Sequence, residues 1–179
     1  YQPYRVVEKI QESESVTSFY LKPEQGNLPS FKAGQFITIK MPLLKDSSGR
    51  DVIRTYTVSN APSEETYRIS VKRLGGTDGG DDEGMVSNYL HDFVGLGDRL
   101  EVKAPQGDFH WQEDSERPVV LLAAGIGITP MISMIRHALR EQLRVRRFQH
   151  ITLVVTARHA LEQVFRDELS SLQEAAQGY

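Results

Sequence analysis

The sequence predicts two units of different class in one chain of 179 residues: a small antiparallel β-barrel or sandwich, then an α/β unit built on parallel strands. Three observations carry this expectation. Short segments of alternating polarity recur up to about Phe109, as half-buried antiparallel strands do. After Pro118 the alternation gives way to the continuous apolar run Val119 to Ala124 and a glycine turn. Charge changes at the same place, since residues 1 to 116 net −6 and residues 117 to 179 net +3.

Each element follows from its local pattern. Val16 to Leu21 and Ile53 to Val58 are strand candidates. Phe36, Thr38 and Lys40 alternate with Ile37, Ile39 and Met41; Tyr67, Ile69 and Val71 with Arg68, Ser70 and Lys72; Leu100, Val102 and Ala104 with Glu101 and Lys103. This period of two places one set inside and the other out. Gly26-Asn27, Pro29-Ser30, Asp46 to Gly49 and Ala61 to Glu64 supply turns between them. Val86 to Phe93 is the one helical segment of this half, and the stretch from Gly75 to Gly84 reads as a flexible glycine-aspartate loop. Val119 to Ala124 reads as a strand buried on both faces. Pro130 to about Leu143 follows as a helix with Ile132, Ile135 and Leu139 on its apolar side, and Ile151 to Val155 as the next strand. Leu161, Val164, Phe165, Leu169 and Leu172 recur at the spacing of a second helix. The polar connector Glu113-Asp114-Ser115-Glu116 divides the expected domains, 1–112 and 117–179.

Composition narrows the function classes. Hydrophobic residues at 39% and charged residues at 25% exclude wholesale disorder. The net charge of −3 argues against a general nucleic-acid surface, and no apolar run approaches the roughly 18 residues of a membrane span. With no cysteine, a disulfide or a cysteine-ligated metal centre within this chain is excluded, which fits a reducing, cytoplasmic setting. The five histidines are too separated to establish a metal site.

Three motifs carry chemistry. Ala124-Gly125-Ile126-Gly127-Ile128-Thr129-Pro130 follows a strand and opens a helix, a context in which backbone N–H groups meet a phosphate. Gly125 and Gly127 leave room for that approach, Thr129 is a candidate cap and Pro130 suits the first turn; a turn whose glycines only ease packing is the competing reading. The three-glycine dinucleotide fingerprint and its acidic partner are absent. Arg54-Thr55-Tyr56-Thr57-Val58-Ser59 sets Arg54 and Tyr56 on one side of an extended chain, where arginine can pair with pyrophosphate and tyrosine can cover an aromatic ring; ordinary sheet chemistry reads the same way. Gly84-Met85-Val86-Ser87-Asn88-Tyr89-Leu90 offers a helix start for an anion, although Asp81-Asp82-Glu83 before it suits plain capping.

The order and spacing of these patches, with Gly34-Gln35-Phe36, Val71-Lys72-Arg73 and Ala104 to Phe109, resembles the ferredoxin-reductase-like family of flavin and nicotinamide oxidoreductases, and within it the reductase module of flavohemoglobins. The resemblance runs from Tyr4 to about Leu172. It implies a six-stranded antiparallel barrel holding FAD, followed by the first part of an α/β nicotinamide-binding domain. By the same resemblance Arg54 faces the FAD pyrophosphate with Thr55 beside it, and Tyr56 and Thr57 stand at the reacting ring as the catalytic pair. Phe36, Val71, Lys72 and Arg73 border the flavin and its phosphates, and Gly84, Met85, Val86 and Ser87 form the pyrophosphate-binding helix start. Gly125, Ile126, Gly127, Ile128, Thr129 and Pro130 match the nicotinamide phosphate loop. The family pattern continues beyond this chain's second helix, so a partial nicotinamide domain is expected.

The implied function is hydride transfer from NADH or NADPH to FAD, then single-electron delivery to a haem, iron–sulfur or other acceptor, fused in a longer chain or carried by another protein. NADH is the expected donor, with Arg158 after the second strand the residue that could favour NADPH. A flavin-binding or scaffolding module without efficient nicotinamide oxidation is the alternative. Arg136, Arg140, Arg144, Arg146 and Arg147 form a basic patch that suits an acidic electron-transfer partner, a nucleotide phosphate or a solvated helix face. Met131 and Met134 are expected core fillers.

Overall fold

The computed structural model describes residues 1–62, 64–74, 84–112, 117–145 and 150–177. The connector 113–116, the glycine-aspartate loop up to residue 83, and Arg146 and Arg147 of the basic patch lie outside the described residues. The first lobe contains β1 (Gln2–Gln11), β2 (Val16–Pro23), β3 (Phe36–Lys45), β4 (Asp51–Thr57), β5 (Tyr67–Lys72), α1 (Met85–Phe93) and β6 (Arg99–Gln106). The second contains β7 (Val119–Ala124), α2 (Ile128–Val145), β8 (Ile151–Thr156) and α3 (Arg166–Gln177).

Six strands pair antiparallel in the order β4-β3-β6-β1-β2-β5. The alternating residues fall as their polarity requires: Ile37, Ile39 and Met41 of β3, Leu100 and Val102 of β6, and Tyr67, Ile69 and Val71 of β5 share one core with Phe19, Leu21 and, from α1, Val86 and Leu90. Tyr4 stacks on Tyr67 with ring centroids 5.6 Å apart, and the Tyr67 hydroxyl donates to the Pro29 carbonyl at 2.5 Å. Strand β1 was not singled out by alternation, because its register shifts between Val6 and Glu8, and a bulge spoils a period of two.

The barrel departs from a closed cylinder. The outer strands β4 and β5 do not form a continuous ladder; they meet through one bridge, Val58 to Ile69, supported by the Ser59 N–H donating to the Arg68 carbonyl at 2.7 Å. Beyond that bridge the strands part. Continued register would set Thr57 against Ser70 and Thr55 against Lys72, and these four residues instead line an open cleft.

Three expectations for the second lobe change. β7 and β8 pair in parallel, but β7 is buried on one face only: Leu121 and Ala123 pack under α2 while Val120 and Leu122 are 63% and 67% exposed. Helix α2 runs from Ile128 to Val145, two residues longer at each end than its apolar stripe indicated, because the turn Gly125–Gly127 winds as a 3-10 helix straight into it. Helix α3 starts only at Arg166. Leu161 is exposed, whereas Val164 and Phe165 reach the core through a loop in which Phe165 takes φ +62°, a left-handed conformation that no helix interior tolerates.

The lobes share apolar ground. Val16 of β2 packs in the cluster of Ala123, Ile128, Ile132, Val164 and Phe165, and Ala33 in that of Leu121, Met134 and Ile135. At Gly34 the approach is tightest: φ is +105°, and an added Cβ would stand 2.5 Å from Met134 Cε and 2.6 Å from the Phe109 carbonyl oxygen. Met134 is thus core, as expected.

Candidate functional site

The parting of β4 and β5, the start of α1 and the turn after β7 enclose a cleft of about 530 Å³, within the roughly 300–1,000 Å³ of small-molecule sites. It gathers Arg54, Thr55, Tyr56 and Thr57 from β4, Lys72 from β5, Gly84, Val86 and Ser87 from α1, and Ile126, Gly127, Thr129 and Pro130 from the second lobe. Residues far apart in sequence and expected on independent grounds therefore border one space. Because β4 and β5 are the ladder's outer strands, their outer N–H and C=O groups along the cleft have no strand partner among the described residues and can serve a ligand.

The polar groups differ in what they can offer. Arg54 donates to the Ile53 carbonyl at 2.9 Å and, among the described residues, pairs with no carboxylate; the rest of its fork is free for phosphate oxygens. Tyr56 is packed against the barrel core, and burial pushes its phenol up to about 12 against the smaller opposing pull of Arg54. The ring is therefore neutral at any physiological pH. Helix α1 begins after Gly84, which lies in the left-handed region at φ +81° and, among the described residues, lends it no side-chain cap, so its first turn presents N–H groups of the kind that attract an anion. In the second lobe, Cβ atoms added at Gly125 or Gly127 would meet nothing within 4 Å. The space over this turn is open, and only Gly125, at φ +51°, needs glycine for its backbone.

Several expected site residues have other roles. Ser87 Oγ donates to the Gly84 carbonyl at 3.0 Å and accepts from the Leu74 N–H at 3.3 Å; it ties the loop to the helix start, and its one proton is spent. Thr129 does not cap α2 but lies inside it, its hydroxyl donating to the Ile126 carbonyl at 3.1 Å. Val71 and Ile128 are buried in the two cores and Met85 packs against the first. Arg73 is paired with Asp92 of α1, and the Phe36 ring lies on Gly107, where a Cβ would come within 2.9 Å of it. None of Phe36, Val71, Arg73, Met85, Gly125 or Ile128 lines the cleft. Of the basic patch, Arg136 turns inward to Glu64 and Glu168. Sequence reasoning missed Ser70 and Leu74, which do line the cleft; Ser70 is one of the polar residues of an ordinary alternation, and Leu74 follows the strand with no periodic signal.

Comparison with known proteins completes the identification. Residues 3–111 match the family model of the oxidoreductase FAD-binding domain and residues 117–178 that of the ferric reductase NAD binding domain. The flavohemoprotein of Deinococcus radiodurans is 41% identical over 173 residues, which cover 96% of this chain and 40% of the relative; that of Bacillus subtilis is 44% identical over 143 residues, covering 79% and 33%. The chain thus spans about a third to two fifths of these curated relatives. Among solved structures, the flavohem-like FAD/NAD binding domain of nitric oxide dioxygenase from Vibrio cholerae O1 biovar El Tor superposes with a TM-score of 0.84 at 37% identity, covering 99% of this chain and 70% of that one. Phthalate dioxygenase reductase superposes at 0.74 with 31% identity, covering 94% and 47%. The chain belongs to the ferredoxin-reductase-like family of FAD- and NAD-binding oxidoreductases, as an NAD(P)H-dependent flavin oxidoreductase module of the kind found in flavohemoproteins.

Proposed function

We propose that the cleft between β4, β5 and α1 holds FAD, that the Gly125–Pro130 turn presents the nicotinamide nucleotide to it, and that the module feeds electrons to a haem, iron–sulfur or other acceptor, fused in a longer chain or on another protein. The carrying observation is that Arg54, Tyr56, the uncapped α1 start and the open turn all border one cleft. Domain limits of 1–112 and 117–179 and a cytoplasmic setting belong to the same reading, the latter supported by the absence of cysteine. Among the described residues no helix is long and apolar enough to cross a membrane.

Bound FAD supplies the acceptor for a hydride from nicotinamide C4 and releases the two electrons one at a time, chemistry that side chains cannot perform. The chain's own residues bind and orient. The free part of the Arg54 fork and the N–H groups at the α1 start neutralise pyrophosphate charge. Tyr56 would offer a flat neutral ring to a bound flavin, and the Thr57 hydroxyl, which lines the same cleft, would serve it as a donor or acceptor. Ile126, Gly127, Thr129 and Pro130 border the cleft from the second lobe. Arg158 is bound to Glu162, with Nε to Oε2 at 3.2 Å and an outer nitrogen to Oε1 at 3.0 Å; a neutralised arginine favours NADH, because a 2′-phosphate would have to displace the carboxylate. A flavin-holding module with weak nicotinamide turnover is the second reading, favoured by a cleft wall supplied mostly by the first lobe.

Flavin titration tests the assignment. Losing charge-assisted hydrogen bonds costs about 1.5–3 kcal/mol, so Arg54→Ala should raise the FAD Kd roughly ten- to a hundredfold, whereas Arg99→Ala on the exposed face of β6 should leave it unchanged. Equal FAD affinity of Arg54→Ala and wild type across salt concentrations would refute the phosphate contact.

A further inference from the structure

Directly behind the cleft, on the closed side of the Val58–Ile69 bridge, Arg68 is almost wholly buried, its side chain 4% exposed. Its Nε donates to Ser59 Oγ at 3.0 Å and a terminal nitrogen to the Ser59 carbonyl at 2.7 Å, while the Ser59 hydroxyl and N–H return to the Arg68 carbonyl at 3.0 and 2.7 Å. Side chain and backbone together clasp the seam of the barrel just before the strands part. The other half of the guanidinium belongs to the second lobe. It forms a two-pronged pair with Glu168 of α3 at 2.8 and 3.3 Å, and its carbon lies 4.6 Å from the centre of the Phe165 ring. The left-handed turn at Phe165 is what delivers that ring.

The clasp also reaches the cleft. Ser59 Oγ lies 2.9 Å from Ser70 Oγ, which lies 2.7 Å from Ser18 Oγ. Because the Ser59 proton goes to the Arg68 carbonyl, Ser59 accepts from Ser70 and Ser70 accepts from Ser18. Ser70 can then show the cleft a lone pair and no proton.

We propose that Arg68 is a positioning residue for hydride transfer, fixing through Ser59 how far the β4–β5 slot opens and through Glu168 and Phe165 where the nicotinamide-side turn stands over it. The inference rests on the reading of the cleft given above. Only a planar five-donor fork serves both lobes at once; a lysine ammonium keeps the charge but cannot bridge Ser59 and Glu168 in the same geometry. Misplacement by about 1 Å is enough to slow a bound reaction of this type up to a hundredfold.

The test uses the full chain loaded with FAD, with Arg68→Lys, Glu168→Gln and their combination. Arg68→Lys should keep FAD affinity within twofold and NADH half-saturation within threefold, while the limiting rate of anaerobic flavin bleaching falls tenfold or more. Glu168→Gln should fall less, and the combination no further than Arg68→Lys, because both act through one clasp. An activity-independent readout comes from the cysteine-free sequence: spin labels on Leu43→Cys and Gln173→Cys, exposed sites on the two lobes, should give one narrow distance distribution that broadens or shifts in Arg68→Lys. An unchanged distribution with an unchanged bleaching rate overturns the proposal, as does a rate loss that only follows loss of FAD. If neither NADH nor NADPH bleaches the wild-type flavin, the functional reading falls and the label distances alone decide whether Arg68 sets lobe geometry.

Discussion

Strands β5 and β7 exchange the burial that their compositions announce. β5 alternates like a strand with one wet face, yet every residue from Tyr67 to Val71 is buried; β7 is apolar throughout, yet Val120 and Leu122 are largely exposed. The reason in β5 is that its polar face is covered by the second lobe, and the polar groups there are matched: Arg68 by Ser59 and Glu168, Ser70 by Ser59 and Ser18. Polarity in that strand marks an interface that needs specific hydrogen bonds. In β7 the apolar run reports a strand of parallel-sheet type, while actual coverage depends on which neighbours pack on each face, and among the described residues these lie on the Leu121–Ala123 side.

The largest expected effect breaks this comparison where it is sharpest. Ile69→Ala removes a wholly buried side chain of β5 and should cost about 2–5 kcal/mol, whereas Leu122→Ala on the bare face of β7 should stay within about 0.5 kcal/mol. Denaturant midpoints at constant slope measure both, and a comparable loss at Leu122 would show that this face is covered in solution. Smaller in effect is a glycine pair. Gly34→Ala forces a Cβ into Met134 and the Phe109 carbonyl at a backbone angle that disfavours it, costing about 1–3 kcal/mol. Gly127→Ala has open space above it and should leave stability near wild type while weakening nicotinamide binding. If Gly127→Ala unfolds the protein and binds nicotinamide normally, the turn is a packing device and its assignment as the nucleotide site fails.

Much of the architecture was legible where local signals are strong. The alternations of β3, β5 and β6, the helix after Gly84, and the strand-turn-helix at Val119 to Pro130 are all where their residue patterns place them. The cleft was legible in its β4 and α1 walls because Arg54, Tyr56 and Gly84 have few neutral explanations in combination. Long-range pairing was not legible: Arg68 and Glu168 are a hundred residues apart, and no local period connects them. Nor could the pattern Leu161, Val164, Phe165 reveal that a left-handed residue ends the apparent helix before it starts. The hydroxyls of Ser87 and Thr129 illustrate a related gap, since a free donor and one bonded to a nearby carbonyl, as these two are, have the same sequence.

The smallest effect concerns how the lobes hold together in acid. Glu64, in the turn before β5, accepts from Arg136 of α2 at 2.6 Å, and Arg136 also binds Glu168 of α3 at 2.5 Å. Burial works against the charged form of Glu64, but the hydrogen bonds and charge of Arg136, with help from Asn60 and the Ala61 N–H, outweigh it and hold the carboxyl below its ordinary 4.5. A carboxyl depressed in the folded state binds fewer protons there than in the unfolded chain. Its contribution is therefore complete above about pH 4.5 and is lost as the pH falls through the folded value. Because both partners are partly exposed, the pair is worth at most about 1 kcal/mol, or roughly 2–4 °C in Tm for a chain of this size. Glu64→Gln, which keeps the shape and removes the charge, should melt a few degrees below wild type at pH 7, and the gap should narrow as the pH falls below 4.5. A gap that persists unchanged into acid would mean that the glutamine has disturbed packing at the turn, and that the Glu64–Arg136 charge pair contributes nothing to the joint between the lobes.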